Sequence, residues 1–132
     1  MGPVQALERD ATILLVDDND DLRGLVTALL NGHGYSVAEA STCKIAMSLL
    51  STQPFDLILL DITLPDGNGF EVVEFLRAKQ ISSRVIVLTG TSGLDVALRG
   101  VSLGVQDYIS KPFKPQYLLN SIQHALTVEA TN

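Results

Sequence analysis

The chain has 132 residues, with 15 acidic side chains against 9 basic ones and a formal net charge of −6. That length suits one domain, and a hydrophobic content of 46% excludes a disordered chain. The acidic balance argues against direct nucleic-acid binding, the lone Cys43 excludes an internal disulfide, and no apolar run is long enough for membrane insertion.

Residues 1–11 read as an N-terminal tail, where Glu8, Arg9 and Asp10 replace the apolar run of a secretory signal, so the expected compartment is the cytoplasm. Ile13-Leu14-Leu15-Val16 is the first of three unbroken apolar runs, followed by Leu57-Ile58-Leu59-Leu60 and Val85-Ile86-Val87-Leu88. Unbroken runs of this length predict strands buried on both faces, as in a parallel sheet. Tyr35-Ser36-Val37-Ala38 and Gln106-Asp107-Tyr108-Ile109 are weaker strands. Helical spacing fills the intervals. Leu22, Leu25, Val26, Leu29 and Leu30 form one stripe, and Ile45, Ala46, Leu49 and Leu50 a second. Val72, Val73, Phe75 and Leu76 form a third, Val96, Ala97, Val101 and Leu103 a fourth, and Leu118, Leu119, Ile122 and Leu126 a fifth. Gly32 and Gly34 can stop the first helix, Pro54 separates the second helix from the third strand, and Pro65, Gly67 and Gly69 fill a loop. Strand and helix alternate five times, which predicts one α/β domain over residues 12–128 and a short tail at 129–132.

The unusual polar residues fall where those strands end. Asp17 and Asp18 follow the first run, Asp61 the second and Thr89 the third, and Lys111 comes just after the fifth strand. In an open parallel sheet these ends share one edge, the crevice where ligands bind. Three carboxylates gathered there repel one another, and one lysine cannot neutralise them. A hard divalent cation can, and an all-oxygen site of this kind suits Mg2+. One carboxylate can then act as a nucleophile towards phosphorus, with Lys111 and Thr89 facing the phosphoryl oxygens. Asp20 and Asp21 fit the first turn of a helix. His33 and His124 stand alone, and Cys43 fits a helix start.

Val16-Asp17-Asp18, Leu60-Asp61, Leu64-Pro65-Asp66-Gly67-Asn68-Gly69, Leu88-Thr89-Gly90 and Asp107-Tyr108-Ile109-Ser110-Lys111-Pro112-Phe113 together resemble the receiver domain of two-component response regulators. The resemblance runs over about residues 12–127. It implies a flavodoxin-like (βα)5 doubly wound α/β sandwich with a five-stranded parallel sheet in the order 2-1-3-4-5. It implies Asp61 as phosphoacceptor, taking a phosphoryl group from a histidine kinase or a phosphotransfer protein. Asp17, Asp18, Asp61 and the Thr63 backbone carbonyl would hold Mg2+. Thr89 and Lys111 would contact the phosphoryl group, and Tyr108 would turn inward when Thr89 moves. The Lys111–Pro112 bond would be cis. The signalling face would be the fourth helix, fifth strand and fifth helix, roughly residues 94–127, offered to a downstream protein or to an output domain. Such a domain catalyses only its own phosphorylation and dephosphorylation, and is a monomer or weak dimer. Gly90 and Val105 stand where the family often has Ala. Thr63 and Thr91 occupy positions that tune dephosphorylation.

Two other functions suit a similar topology. A Mg2+-dependent phosphatase with an Asp nucleophile would want a second acid two residues on, where this chain has Thr63. A flavin-binding module could cradle phosphate on Thr89-Gly90-Thr91-Ser92-Gly93, although the acidic crevice opposes it. Within the leading family, a stand-alone regulator and a domain of a hybrid kinase or larger regulator both remain open.

Overall fold

Strands β1 (Thr12–Val16), β3 (Leu57–Asp61) and β6 (Arg84–Thr89) carry the three apolar runs, and they form the middle of the sheet. The computed structural model describes residues 11–90 and 94–127; the remaining residues of both expected tails lie outside that range. Between and beyond these strands come α1 (Asp20–Gly32), β2 (Ser36–Ala40) and α2 (Cys43–Thr52). A short hairpin of β4 (Thr63–Leu64) and β5 (Gly67–Asn68) precedes α3 (Phe70–Ala78). Then follow α4 (Leu94–Ser102), β7 (Asp107–Ser110) and α5 (Pro115–Thr127). The sheet order is β2-β1-β3-β6-β7, and every neighbouring pair is parallel. Discounting the hairpin, this is the expected flavodoxin-like order.

Both faces of the sheet are covered, which explains the unbroken apolar runs. Ile13, Leu15, Leu57, Leu59, Ile86 and Leu88 point to one side, against Val26 and Leu30 of α1 and Leu118 and Ile122 of α5. Leu14, Val16, Ile58, Leu60, Val85 and Val87 point to the other, against Ala46 and Leu50 of α2 and Phe70, Val73 and Leu76 of α3. Alternate residues therefore serve separate cores, as the period of a strand requires. Ala11, expected in the tail, is already buried, and its carbonyl accepts from the Ser36 N–H.

Local chemistry sets the helix ends. The Asn19 side chain accepts from the Leu22 N–H at the start of α1, with Asp20 and Asp21 in the first turn. Thr42 does the same for Ile45 at the start of α2. Gly34, just beyond α1, sits at φ 90°, a left-handed conformation that favours glycine. Three stripe residues depart from expectation: Leu25, Ile45 and Val101 are exposed. Each lies at the margin of its apolar arc, about 100° or more around the helix from the buried positions.

Leu59 is fully buried in the central strand. Leu59→Ala should cost about 2–5 kcal/mol of stability, read from urea unfolding monitored by circular dichroism. A loss under about 1 kcal/mol would show that the core collapses around the deletion.

Candidate functional site

The sheet register brings the strand-end residues together step by step. Val16 pairs with Leu60, so Asp17 comes level with Asp61. Asp61 pairs with Leu88, which puts Thr89 one residue beyond it. Thr89 pairs with Ser110, and the Lys111 N–H then donates to the Thr89 carbonyl at 2.9 Å. Residues far apart in sequence thus share one edge.

Carboxylate oxygens of Asp17, Asp18 and Asp61 lie within 4.8 Å of one another. Asp17 and Asp61 are buried, Asp18 is exposed. Lys111 bridges the buried pair, with Nζ donating to Asp17 Oδ2 at 2.6 Å and to Asp61 Oδ2 at 3.2 Å. Backbone donors hold the other oxygens: the Asn19 N–H donates to Asp17 Oδ1 at 2.9 Å, and the Thr63 N–H to Asp61 Oδ1 at 3.2 Å. The Lys111–Pro112 peptide is cis, as the resemblance implies.

The charges do not balance. Burial raises the Asp61 pKa above the ordinary carboxylate value, against the opposing pull of Lys111 and the Thr63 N–H. Burial works to lower the Lys111 pKa, but hydrogen bonds and attraction from Asp17 and Asp61 outweigh it and the net shift is upward. Three carboxylates beside one ammonium leave an excess of negative charge, which favours added positive charge. At an effective dielectric constant of about 20, two carboxylates 4.8 Å apart repel by roughly 3 kcal/mol, and less where one is exposed. The donors are all oxygen, so they fit a hard divalent cation such as Mg2+ or Ca2+.

Thr89 is fully buried at the end of β6, and Tyr108 is half-buried against the layer packed by α2 and α3. Thr91, Ser92 and Gly93, the rest of the expected phosphate cradle, lie outside the described residues. Asp20 and Asp21 belong to the helix start rather than to the carboxylate cluster.

Three supporting features escape sequence reasoning. Arg23 donates to the Asp17 carbonyl at 2.8 Å. Gly69 packs on the backbone of Asp61, where a Cβ would collide with the Asp61 carbonyl oxygen and lie 2.9 Å from the Ile62 Cα. Asp66, in the loop with Pro65 and Gly67, accepts from the N–H groups of Cys43 at 2.8 Å and Lys44 at 3.0 Å. It thereby ties the loop after Asp61 to the start of α2. The run Asp66-Gly67-Asn68-Gly69 signals a turn, but its contacts join distant elements and leave no local periodicity.

Comparison with known proteins points one way. Residues 13–123 match the family model for the response regulator receiver domain. The chain is 38% identical over 111 residues to the alginate biosynthesis transcriptional regulatory protein AlgB of Pseudomonas aeruginosa, covering 84% of this chain and 25% of AlgB. It therefore spans about a quarter of that relative's length. It superimposes with a TM-score of 0.86 on the non-phosphorylated HemR receiver domain of Leptospira biflexa, at 33% identity, covering 91% of this chain and 97% of that one. A response regulator of Burkholderia pseudomallei, solved with a phosphorylated aspartic acid, a calcium ion and citrate, gives a TM-score of 0.79 at 26% identity, covering 89% of this chain and 69% of that one.

The Asp66 cap yields a pH prediction. The Cys43 N–H, and then the Lys44 N–H, hold its carboxyl below the ordinary value. A depressed folded pKa stabilises the fold above the unfolded pKa and loses that contribution as pH falls through the folded one. Asp66→Asn should therefore lower Tm at neutral pH, and the gap from the parent should close on acidification through the ordinary Asp range and below. A gap constant with pH would contradict the cap.

Proposed function

Because this chain belongs to the response regulator receiver domain family, we propose that it is the phosphoacceptor module of a two-component phosphorelay, with Asp61 receiving the phosphoryl group. The observation that carries this reading is the cluster of Asp17, Asp18 and Asp61 beside the Lys111 ammonium. The Burkholderia response regulator with its phosphorylated aspartic acid and calcium ion supports it.

The donor is a phosphohistidine of a histidine kinase or a phosphotransfer protein. A carboxylate oxygen of Asp61 attacks phosphorus, and the O–P bond forms as the N–P bond of the donor breaks. The imidazole nitrogen leaves with the electron pair. Hydrolysis later returns the Asp61 carboxylate and inorganic phosphate. Asp17, Asp18, Asp61 and the Thr63 carbonyl would hold Mg2+, which when bound supplies charge compensation for the phosphoryl oxygens. Lys111 shifts its ammonium from the Asp17 and Asp61 carboxylates towards a phosphoryl oxygen, and the Thr89 hydroxyl donates to another. Tyr108 then turns inward.

On this reading the phosphoryl group shifts a two-state equilibrium of the face made by α4, β7 and α5. That face serves a downstream protein or an output domain. Residues 12–128, together with the buried Ala11, are the receiver domain, and the rest of 1–11 and residues 129–132 are tails. Receiver domains are signalling modules rather than enzymes of ordinary turnover, and this one catalyses only its own phosphorylation and dephosphorylation. It works in the cytoplasm as a monomer or weak dimer, without contacting nucleic acid itself; among the described residues no helix is long and apolar enough to cross a membrane.

Acetyl phosphate with Mg2+ should add one phosphoryl group, read by intact-mass analysis, and EDTA should prevent it. Asp61→Asn should abolish the addition; labelling that survives the substitution would sink the assignment. Asp18→Ala should weaken Mg2+ binding by about tenfold or more in a calorimetric titration. Unchanged affinity would remove Asp18 from the ligand set.

A further inference from the structure

Arg23 lies one turn into α1, with its side chain only 16% exposed. Its guanidinium makes three directed contacts. Nη1 donates to the Asp17 carbonyl at 2.8 Å, Nε to Glu39 Oε1 at 2.9 Å and Nη2 to Asp20 Oδ1 at 2.9 Å. Glu39 is itself held, because its other oxygen accepts from the Thr27 hydroxyl at 2.9 Å. The Asp17 N–H donates to the Ala40 carbonyl at 3.0 Å. The backbone of Asp17 is therefore gripped on both sides, by β2 directly and by β2 through Arg23.

The grip has a consequence for the cation ligands. The Asp17 carbonyl belongs to the peptide that joins Asp17 to Asp18. That peptide is planar, so pinning its oxygen also fixes the direction in which Asp18 leaves it. Asp18 is exposed, and its aim depends on the backbone from which it projects. The guanidinium suits this task because its planar fork can hold a carbonyl and two carboxylates at once.

We propose that Arg23 is a positioning residue for divalent-cation binding: it orients the Asp17–Asp18 peptide so that both carboxylates converge with Asp61. The inference rests on the reading of Asp17 and Asp18 as cation ligands. It has an unusual sign. Arg23 is a positive charge bonded to the segment that binds the cation, so charge alone says that removing it tightens cation binding. Positioning says that removing it loosens binding.

The test is a calorimetric Mg2+ titration of the parent chain, Arg23→Lys and Arg23→Ala at about 0.15 M salt, where long-range charge effects are largely screened, together with circular dichroism. Arg23→Ala should raise the Mg2+ dissociation constant about tenfold or more, as loss of an outer partner of a metal ligand does. Arg23→Lys, which keeps the charge and loses the fork, should raise it several-fold. Mg2+ binding as tight as the parent's, or tighter, in a folded variant overturns the proposal, and Arg23→Lys decides it if Arg23→Ala does not fold. A parent chain that binds no Mg2+ overturns the ligand reading itself, a result distinct from parental binding that the variants leave unchanged.

Discussion

Lys111 donates to Asp17 and Asp61 at once, and through that bridge the carboxyl ends of β1, β3 and β7 are tied at one edge of the sheet. The bridge is necessary and insufficient. Two buried carboxylates and one exposed carboxylate face a single ammonium, so the pocket keeps an excess of negative charge that burial makes expensive. Burial raises the Asp61 pKa, and the two carboxylates raise that of Lys111 against burial. Such a site gains from any added positive charge.

A strained charge cluster persists only on a frame that can hold it. Here the frame is a sheet whose five strands are sealed on both faces by separate apolar layers. Its interior is packed from Leu, Ile and Val, while Asp17 and Lys111 sit one residue beyond the ladder and Asp61 and Thr89 on its last rung. The loops that carry them are fastened from several sides. Gly69 lies on the backbone of Asp61, Asp66 caps α2, and Arg23 grips the Asp17 carbonyl. None of these contacts touches the Asp61 carboxylate itself.

The opposite side of the molecule shows how a change at that edge can travel. Arg77 of α3 donates to the Leu103 and Gly104 carbonyls just past α4, and Arg99 of α4 pairs with Glu74 of α3. Asp107, at the start of β7, accepts from the Ser121 hydroxyl of α5 and from the Tyr108 N–H. The helices and strand expected to form the signalling face pack apolar residues such as Val96, Ile109, Leu118 and Ile122 against the cores, and are joined to their neighbours in addition by these discrete polar contacts. Contacts of that kind can exchange without unfolding the core, which is what a two-state element requires.

The sequence by itself determined the alternation of strands and helices, because each buried strand is an unbroken apolar run and each helix carries an apolar arc. It also placed Asp17, Asp18, Asp61, Thr89 and Lys111 together, because in a parallel sheet the carboxyl ends of the strands share one edge. Only the tertiary structure decided what lies between elements. Periodicity could not say that Leu25 and Ile45 fall outside the arc that the sheet covers, since an arc's width depends on the partner's shape. Nor could it show that Arg23 joins the Asp17 carbonyl to Glu39, or that Gly69 rests against Asp61. Those roles arise from distances between segments remote in the chain, and such distances exist only once the strands have paired in register.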